Sequence, residues 1–234
     1  MVRIIIAKIL RRLGLAKHLN FNYRIKYGIS ILKIPMEEWA LESFLRVKSF
    51  FTFKSSIIDI LKNFASTDYF VDIGANCGST LVEVFGNNPE INYLGFEPNN
   101  NSFKLLSKIV QLNQIKATLF PFACTDESKV IRLFLNSDFD PCATIDKRIK
   151  IDAFENYGGL PIAGYKLDDA LPNTIPNSFI MKIDVEGSEV EVIKGGLKTI
   201  NSKRPFMITE VLNSMTKKEI DFNNSRKLEL EKNT

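Results

Sequence analysis

The hydrophobic pattern changes character along the chain. In residues 1–20 the apolar residues Val2, Ile5, Ile6, Ile9, Leu10 and Leu13 recur at helical spacing. Arg3, Lys8, Arg11, Arg12 and Lys17 border that stripe, and no acidic residue precedes Glu37. A basic amphipathic helix of this kind can lie on an anionic membrane surface, or dock on the protein itself or on a second subunit. Residues 36–66 also read as helical, through Trp39, Leu41, Phe44, Leu45, Val47, Ile57, Ile58 and Leu61. From Tyr69 onward short β-type runs take over: Tyr69–Ile73, Tyr93–Glu97, Thr118–Phe122, Phe179–Asp184 and Phe206–Val211. Helical stretches at 79–86, 100–112 and 188–200 separate them. Strands alternating with helices predict βαβ units and a parallel sheet.

Val130–Leu135 alternates as a further strand. Residues 136–164 are polar and turn-rich, and read as a long loop over the sheet edge, of the kind that often carries function. The predicted organisation is a helical segment over 1–66, an α/β domain over 67–212 containing that loop, and a polar tail over 213–234.

Composition narrows the chemistry. A hydrophobic content of 45% supports a real core, and a net charge of +4 permits an anionic partner without requiring one. The apolar runs are too short to span a bilayer. Cys77, Cys124 and Cys142 form no CxxC pair and no even framework, as expected of a reduced, cytoplasmic setting. His18 is the only histidine, so a histidine triad or a site built on several His ligands is excluded. Any proton acceptor must come from Asp, Glu, Lys, Tyr or Cys.

The first strand of the domain runs into Asp72-Ile73-Gly74-Ala75-Asn76-Cys77-Gly78. Glycines at a strand-to-helix turn let the backbone approach a ligand, and the next helix offers free N–H groups. The Gly-x-x-x-Gly spacing differs from the dinucleotide fingerprint. Asp72 at the strand tip would repel a pyrophosphate and attract a cation, such as the ammonium and sulfonium of S-adenosyl-L-methionine. Glu97, 23 residues after Gly74, stands where parallel-sheet nucleotide folds place the acid that accepts both ribose hydroxyls. The stretch after the third strand puts Ala123 and Cys124 beside the adenine, although Cys124 reads equally well as a core residue. Asp184 and Glu186 at the tip of the fourth strand, and Glu210 after the fifth, could deprotonate a hydroxyl, orient it, or hold a divalent cation. Capping of the next helix is the alternative, and it is the reading adopted for Glu189.

The blocks Phe70-Val71-Asp72-Ile73-Gly74-Ala75-Asn76-x-Gly78, Phe96-Glu97-Pro98, Leu167-Asp168-Asp169 and Lys182-Ile183-Asp184-Val185-Glu186-Gly187-x-Glu189-x-x-x-Ile193-Lys194-Gly195 resemble the FkbM-type methyltransferases. The likeness continues through Arg204-Pro205 and Glu210, covering residues 69–212. It implies a Rossmann-like class I methyltransferase fold, a mostly parallel twisted sheet with helices on both faces. It also implies transfer of a methyl group from S-adenosyl-L-methionine to a hydroxyl of a surface-polysaccharide sugar or a natural product. Asp72, Gly74, Ala75, Asn76, Gly78, Glu97, Pro98, Ala123 and Cys124 are the expected cofactor residues, and Asp184, Glu186 and Glu210 the expected catalytic ones. Asp184 and Glu210 are the candidates for any metal. The 22 residues after Leu212 are polar and predict a sheet without the family's last two strands, an exposed edge that favours self-association.

Pro141-Cys142 precedes the fourth strand instead of following it, unlike the nucleophile of cytosine methyltransferases. Lys147, Arg148 and Lys150 make only a short basic cluster, so a nucleic-acid partner is not expected. The rival functions are an NAD-dependent oxidoreductase on the same topology, and a cofactor-binding partner protein without turnover.

Overall fold

The computed structural model describes residues 22–35, 69–136, 140, 142–146 and 159–210. The expected helices over 1–20 and 36–66, His18, Pro141, the basic cluster at 147–150 and the tail after Glu210 lie outside the described residues. Whether two closing strands follow is therefore outside them as well. No helix among the described residues is long and apolar enough to cross a membrane.

A five-stranded sheet organises the domain: β3 (Tyr69–Ile73), β4 (Asn92–Phe96), β5 (Ala117–Phe120), β9 (Phe179–Ile183) and β10 (Phe206–Thr209). Its order is β10-β9-β3-β4-β5, and every pairing is parallel. The connections run from β3 toward β5 on one side and from β9 to β10 on the other. The order therefore reverses beside β3, and ligands of open parallel sheets bind at that switch point, beyond the carboxyl ends of the strands.

The helices cover both faces, as expected. Helices α1 (Ser79–Asn87) and α2 (Asn100–Asn113) pack Leu81, Val84, Leu105, Leu106 and Ile109 against Phe70 and Tyr93. Helices α3 (Leu167–Ala170), α4 (Glu189–Gly195) and α5 (Leu197–Lys203) pack Leu167, Val192, Ile193 and Ile200 against Val71, Ile73, Leu94 and Ile183. Burial on both sides explains why β9 is buried at all five positions.

Four expectations change. Residues 22–35, placed within a helical segment, form an antiparallel hairpin of β1 (Asn22–Tyr27) and β2 (Ser30–Pro35), turning at Gly28-Ile29. Its strands alternate, sending Leu32 and Ile34 into the core beneath α1 and α2 while Ile31 and Lys33 point outward. The period of two, not the surrounding helical pattern, decides the local structure. The strand expected over Thr118–Phe122 stops at Phe120, just before Pro121. The chain resumes as β6 (Ala123–Thr125) in a separate sheet with β7 (Lys129–Leu133) and β8 (Leu160–Lys166), in the order β6-β8-β7. Thus the last residues of the loop assigned to 136–164 belong to a strand. Only Gly164 of β8 is buried, so no hydrophobic alternation betrays it.

Finally, the helix expected over 188–200 divides at Gly196 into α4 and α5. The approach of α4 to β6 is close: a Cβ on Gly195 would stand 1.9 Å from the carbonyl oxygen of Thr125.

Candidate functional site

The turn from β3 into α1 is drawn onto the neighbouring strand. The amides of Gly74 and Ala75 both donate to the carbonyl of Phe96, each at 3.0 Å. Gly74 has φ +84°, and a Cβ there would fall 1.9 Å from the carbonyl oxygen of Asp184. A side chain at this position therefore meets both the left-handed penalty and a backbone overlap. Gly74→Ala is expected to lose at least about 1–2 kcal/mol of stability from the backbone conformation alone, and ligand affinity with it. Urea unfolding checks the first loss, and an unchanged midpoint would contradict the close approach.

Glu97 closes the other side of the turn. Its Oε2 accepts the Asn76 amide at 2.7 Å and its Oε1 accepts the Asn99 amide at 2.6 Å. Asn99 in turn caps α2, accepting from the Asn101 amide at 3.0 Å. Burial pushes the Glu97 carboxyl up to about 7, against the two amides that favour its ionised form. Each carboxylate oxygen keeps a second lone pair, so two ribose hydroxyls can still be accepted. Asn76 is left-handed (φ 46°), and its Oδ1 receives the Cys77 amide at 2.7 Å and the Ser102 hydroxyl at 3.1 Å. Helix α1 begins at Gly78 with no side-chain cap and no acid in its first turn. Glu97 thus ties Asn76, in the glycine turn, to Asn99 at the start of α2.

The sequence expects Asp72 to face a ligand ammonium; in the structure it is fully buried, with a partner within the chain for each oxygen. The Tyr93 hydroxyl donates to Oδ2, and Lys182 Nζ reaches Oδ1 at 3.2 Å. The parallel register explains this, since Asp72 pairs with Lys182 across β3 and β9. Burial raises the Asp72 carboxyl, while Lys182 and Tyr93 act in the opposite sense. Burial and the Asp72 charge hold the Tyr93 phenol well above its ordinary value.

Lys182 also reaches Asp184 Oδ2 at 2.9 Å. Burial alone would lower the ammonium, but Asp72 and Asp184 overcome it and raise it. Burial would raise Asp184, yet Lys182 keeps it below the usual carboxylate range. Glu210, hydrogen-bonded to Asp184, is pushed up to about 7 by desolvation and by the Asp184 charge. The structure therefore brings together Asp184 and Glu210 as predicted. It adds Lys182 and Tyr93, which sequence reasoning passed over. The signal for Lys182 was a single charge within the otherwise apolar run Phe179–Ile183.

Glu186 has a left-handed backbone (φ 51°), and its carbonyl accepts the Thr144 hydroxyl at 2.6 Å. Asp140 holds that loop by accepting the amides of Asn136 and Cys142 at 2.8 and 3.0 Å. Glu189, the first residue of α4, accepts the Gly187 amide just ahead of the helix at 2.9 Å. Asp168, one of the resembling blocks, likewise accepts the Lys198 and Thr199 amides at the start of α5. Ala123 and Cys124 lie on β6, off the central sheet. Cys124 packs in the core with Phe96, Leu167 and Ile183, the second of the two readings the sequence leaves open for it. Among the described residues no group of three or more His, Cys, Asp or Glu side chains could hold a metal ion. A cation, the Lys182 ammonium, already stands against Asp184.

The central sheet is parallel, with a glycine turn after β3 and an acid directly after β4. The FkbM methyltransferase domain matches residues 72–232, and the chain belongs to that family. It is 28% identical over 162 residues to the methyltransferase sdnD of Sordaria araneosa, a match spanning 58% of this chain and 62% of that protein. Among solved structures it is similar to the precorrin-6y C5,15-methyltransferase of Geobacter metallireducens GS-15, with a TM-score of 0.43 and 13% identity. That match covers 77% of this chain and 69% of the other.

Proposed function

We propose that this chain binds S-adenosyl-L-methionine beyond the carboxyl ends of β3, β4 and β9, and methylates a hydroxyl of a sugar or natural product. The observation that carries the reading is Glu97, a carboxylate aimed by two backbone amides and held against the glycine turn. When bound, the cofactor supplies an electrophilic methyl group on a sulfonium. Glu97 would accept the ribose hydroxyls, and the Gly74–Gly78 backbone would let the cofactor lie close to the strand ends.

Glu210 is the proton acceptor in this account. Its carboxyl lies near 7, where a base is both partly ionised and strong enough to take a hydroxyl proton. Asp184, kept ionised by Lys182, would accept the hydrogen bond of Glu210 once Glu210 has taken that proton. Most of the acceleration comes from alignment of donor and acceptor. The loop through Thr144, tied to the Glu186 carbonyl, forms the nearest wall for an acceptor.

The test is transfer of label from methyl-labelled S-adenosyl-L-methionine to cell-envelope glycan fractions. Incorporation is expected, and cofactor binding without transfer to any hydroxyl acceptor would favour a partner protein without turnover. Glu210→Gln should leave cofactor affinity unchanged and lower turnover at least tenfold, roughly the lower end of what a positioned base contributes. Equal turnover in the two proteins would remove Glu210 from the mechanism.

A further inference from the structure

Tyr93 has no part in the mechanism above and Lys182 enters it only as the partner of Asp184, although both are buried beside it. The ammonium of Lys182 stands between two carboxylates on different strands, 3.2 Å from Asp72 at the foot of the glycine turn and 2.9 Å from Asp184 at the acceptor side. The Tyr93 hydroxyl fixes the far oxygen of Asp72, and Glu210 is hydrogen-bonded to the far side of Asp184. A chain of polar contacts thus crosses β4, β3, β9 and the end of β10.

We propose that Lys182 is a positioning residue for methyl transfer, one that ties the cofactor turn to the acceptor-side carboxyl pair and fixes which member of that pair holds the proton. This rests on the proposed function of the same site. The charge arrangement carries it. One buried cation is shared by Asp72 and Asp184, so Asp184 is held as the anion. The next carboxyl outward, Glu210, is left to gain and lose the proton. Among the described residues, the groups facing this centre are Asp72 from β3, Tyr93 and Glu97 from β4, Asp184 from β9, Glu210 after β10 and Glu189 from α4. Lys182 is the only cation among them. An exposed ion pair would have little leverage. A buried ammonium within contact distance of a carboxylate shifts it by about 1–3 pH units.

The experiment is a carbon-13 titration of the Glu210 carboxyl, its signal identified by loss in Glu210→Gln. Lys182→Met should move the Glu210 midpoint upward, and Lys182→Arg should restore it. A purely structural lysine would lower thermal stability in Lys182→Met and leave the midpoint where it was, which would overturn the proposal. Because Lys182→Met strands Asp72, the double variant Asp72→Asn with Lys182→Met provides the same reading without a buried unpaired anion. The unsubstituted protein offers a reading that needs no variant. The nitrogen-15 shift of the Lys182 ammonium should follow the Glu210 titration, and a flat response through that midpoint contradicts the coupling. Calorimetry with S-adenosyl-L-methionine separates the two claims. A protein that does not bind it refutes the proposed function, while the carboxyl titration still decides the role of Lys182.

Discussion

Glu97→Gln is expected to weaken S-adenosyl-L-methionine binding on the order of 10²-fold at pH 8, about 2.7 kcal/mol. Two effects act together. The carboxylate's charge-assisted acceptance of two hydroxyls is lost, each such bond being worth roughly 1.5–3 kcal/mol. The amide also cannot replace both oxygens, because Asn76 and Asn99 each point an N–H at Glu97. One of them would then face an NH₂ group. The same residue sets a pH dependence. Its carboxyl is raised to about 7, and hydroxyl donors bind the ionised form. Affinity should therefore be constant above that value and fall about tenfold per unit below it. Calorimetry at pH 6 and pH 8 should show roughly a tenfold difference in the unsubstituted protein and none in Glu97→Gln. The stability effect has a separate sign. Between the ordinary glutamate value and about 7 the folded chain holds a proton that the unfolded chain has released. Glu97's contribution therefore falls as pH rises through that window.

Asp72→Ala is expected to cost about 3–5 kcal/mol of folding stability, the usual result of removing one member of a buried ion pair. Lys182 would keep only Asp184, and the Tyr93 hydroxyl would lose its acceptor inside the core. Urea unfolding should show the loss with cofactor absent. A change below about 1 kcal/mol, with a fall in cofactor affinity alone, would mean that Asp72 faces the ligand after all. Asp72→Asn should be milder, since an amide can still accept from Tyr93.

The burial of Asp72 also changes an inference drawn from sequence. An unpaired acid at the strand tip would repel a pyrophosphate, yet Lys182 compensates the charge of Asp72. Asp72 therefore does not distinguish S-adenosyl-L-methionine from a dinucleotide. The membership of the family does favour the first, and so does the glycine spacing.

What was legible followed from periodicity and from turns with chemical content. The central strands lie where short apolar runs alternate with helical ones, because each must bury two faces. Gly74 and Glu97 were readable because a glycine turn and an acid after the next strand have few other uses together. The hairpin at 22–35 and strand β8 were not. The first is a short alternating stretch between helical patterns, and the second is exposed along most of its length. The role of Lys182 was hidden for a different reason. Its partners, Asp72 and Asp184, lie 110 residues apart and two residues apart, and only the parallel pairing of β3 with β9 brings all three together. The break after Phe120 falls at Pro121. Cys124 followed that break off the central sheet.

The most direct measurement is a calorimetric titration of this protein with S-adenosyl-L-methionine and with NAD, repeated on Glu97→Gln. The account predicts saturable binding of S-adenosyl-L-methionine, none of NAD, and a loss on the order of 10²-fold in the variant. Binding of NAD alone, or equal affinity of the two proteins for S-adenosyl-L-methionine, would contradict it.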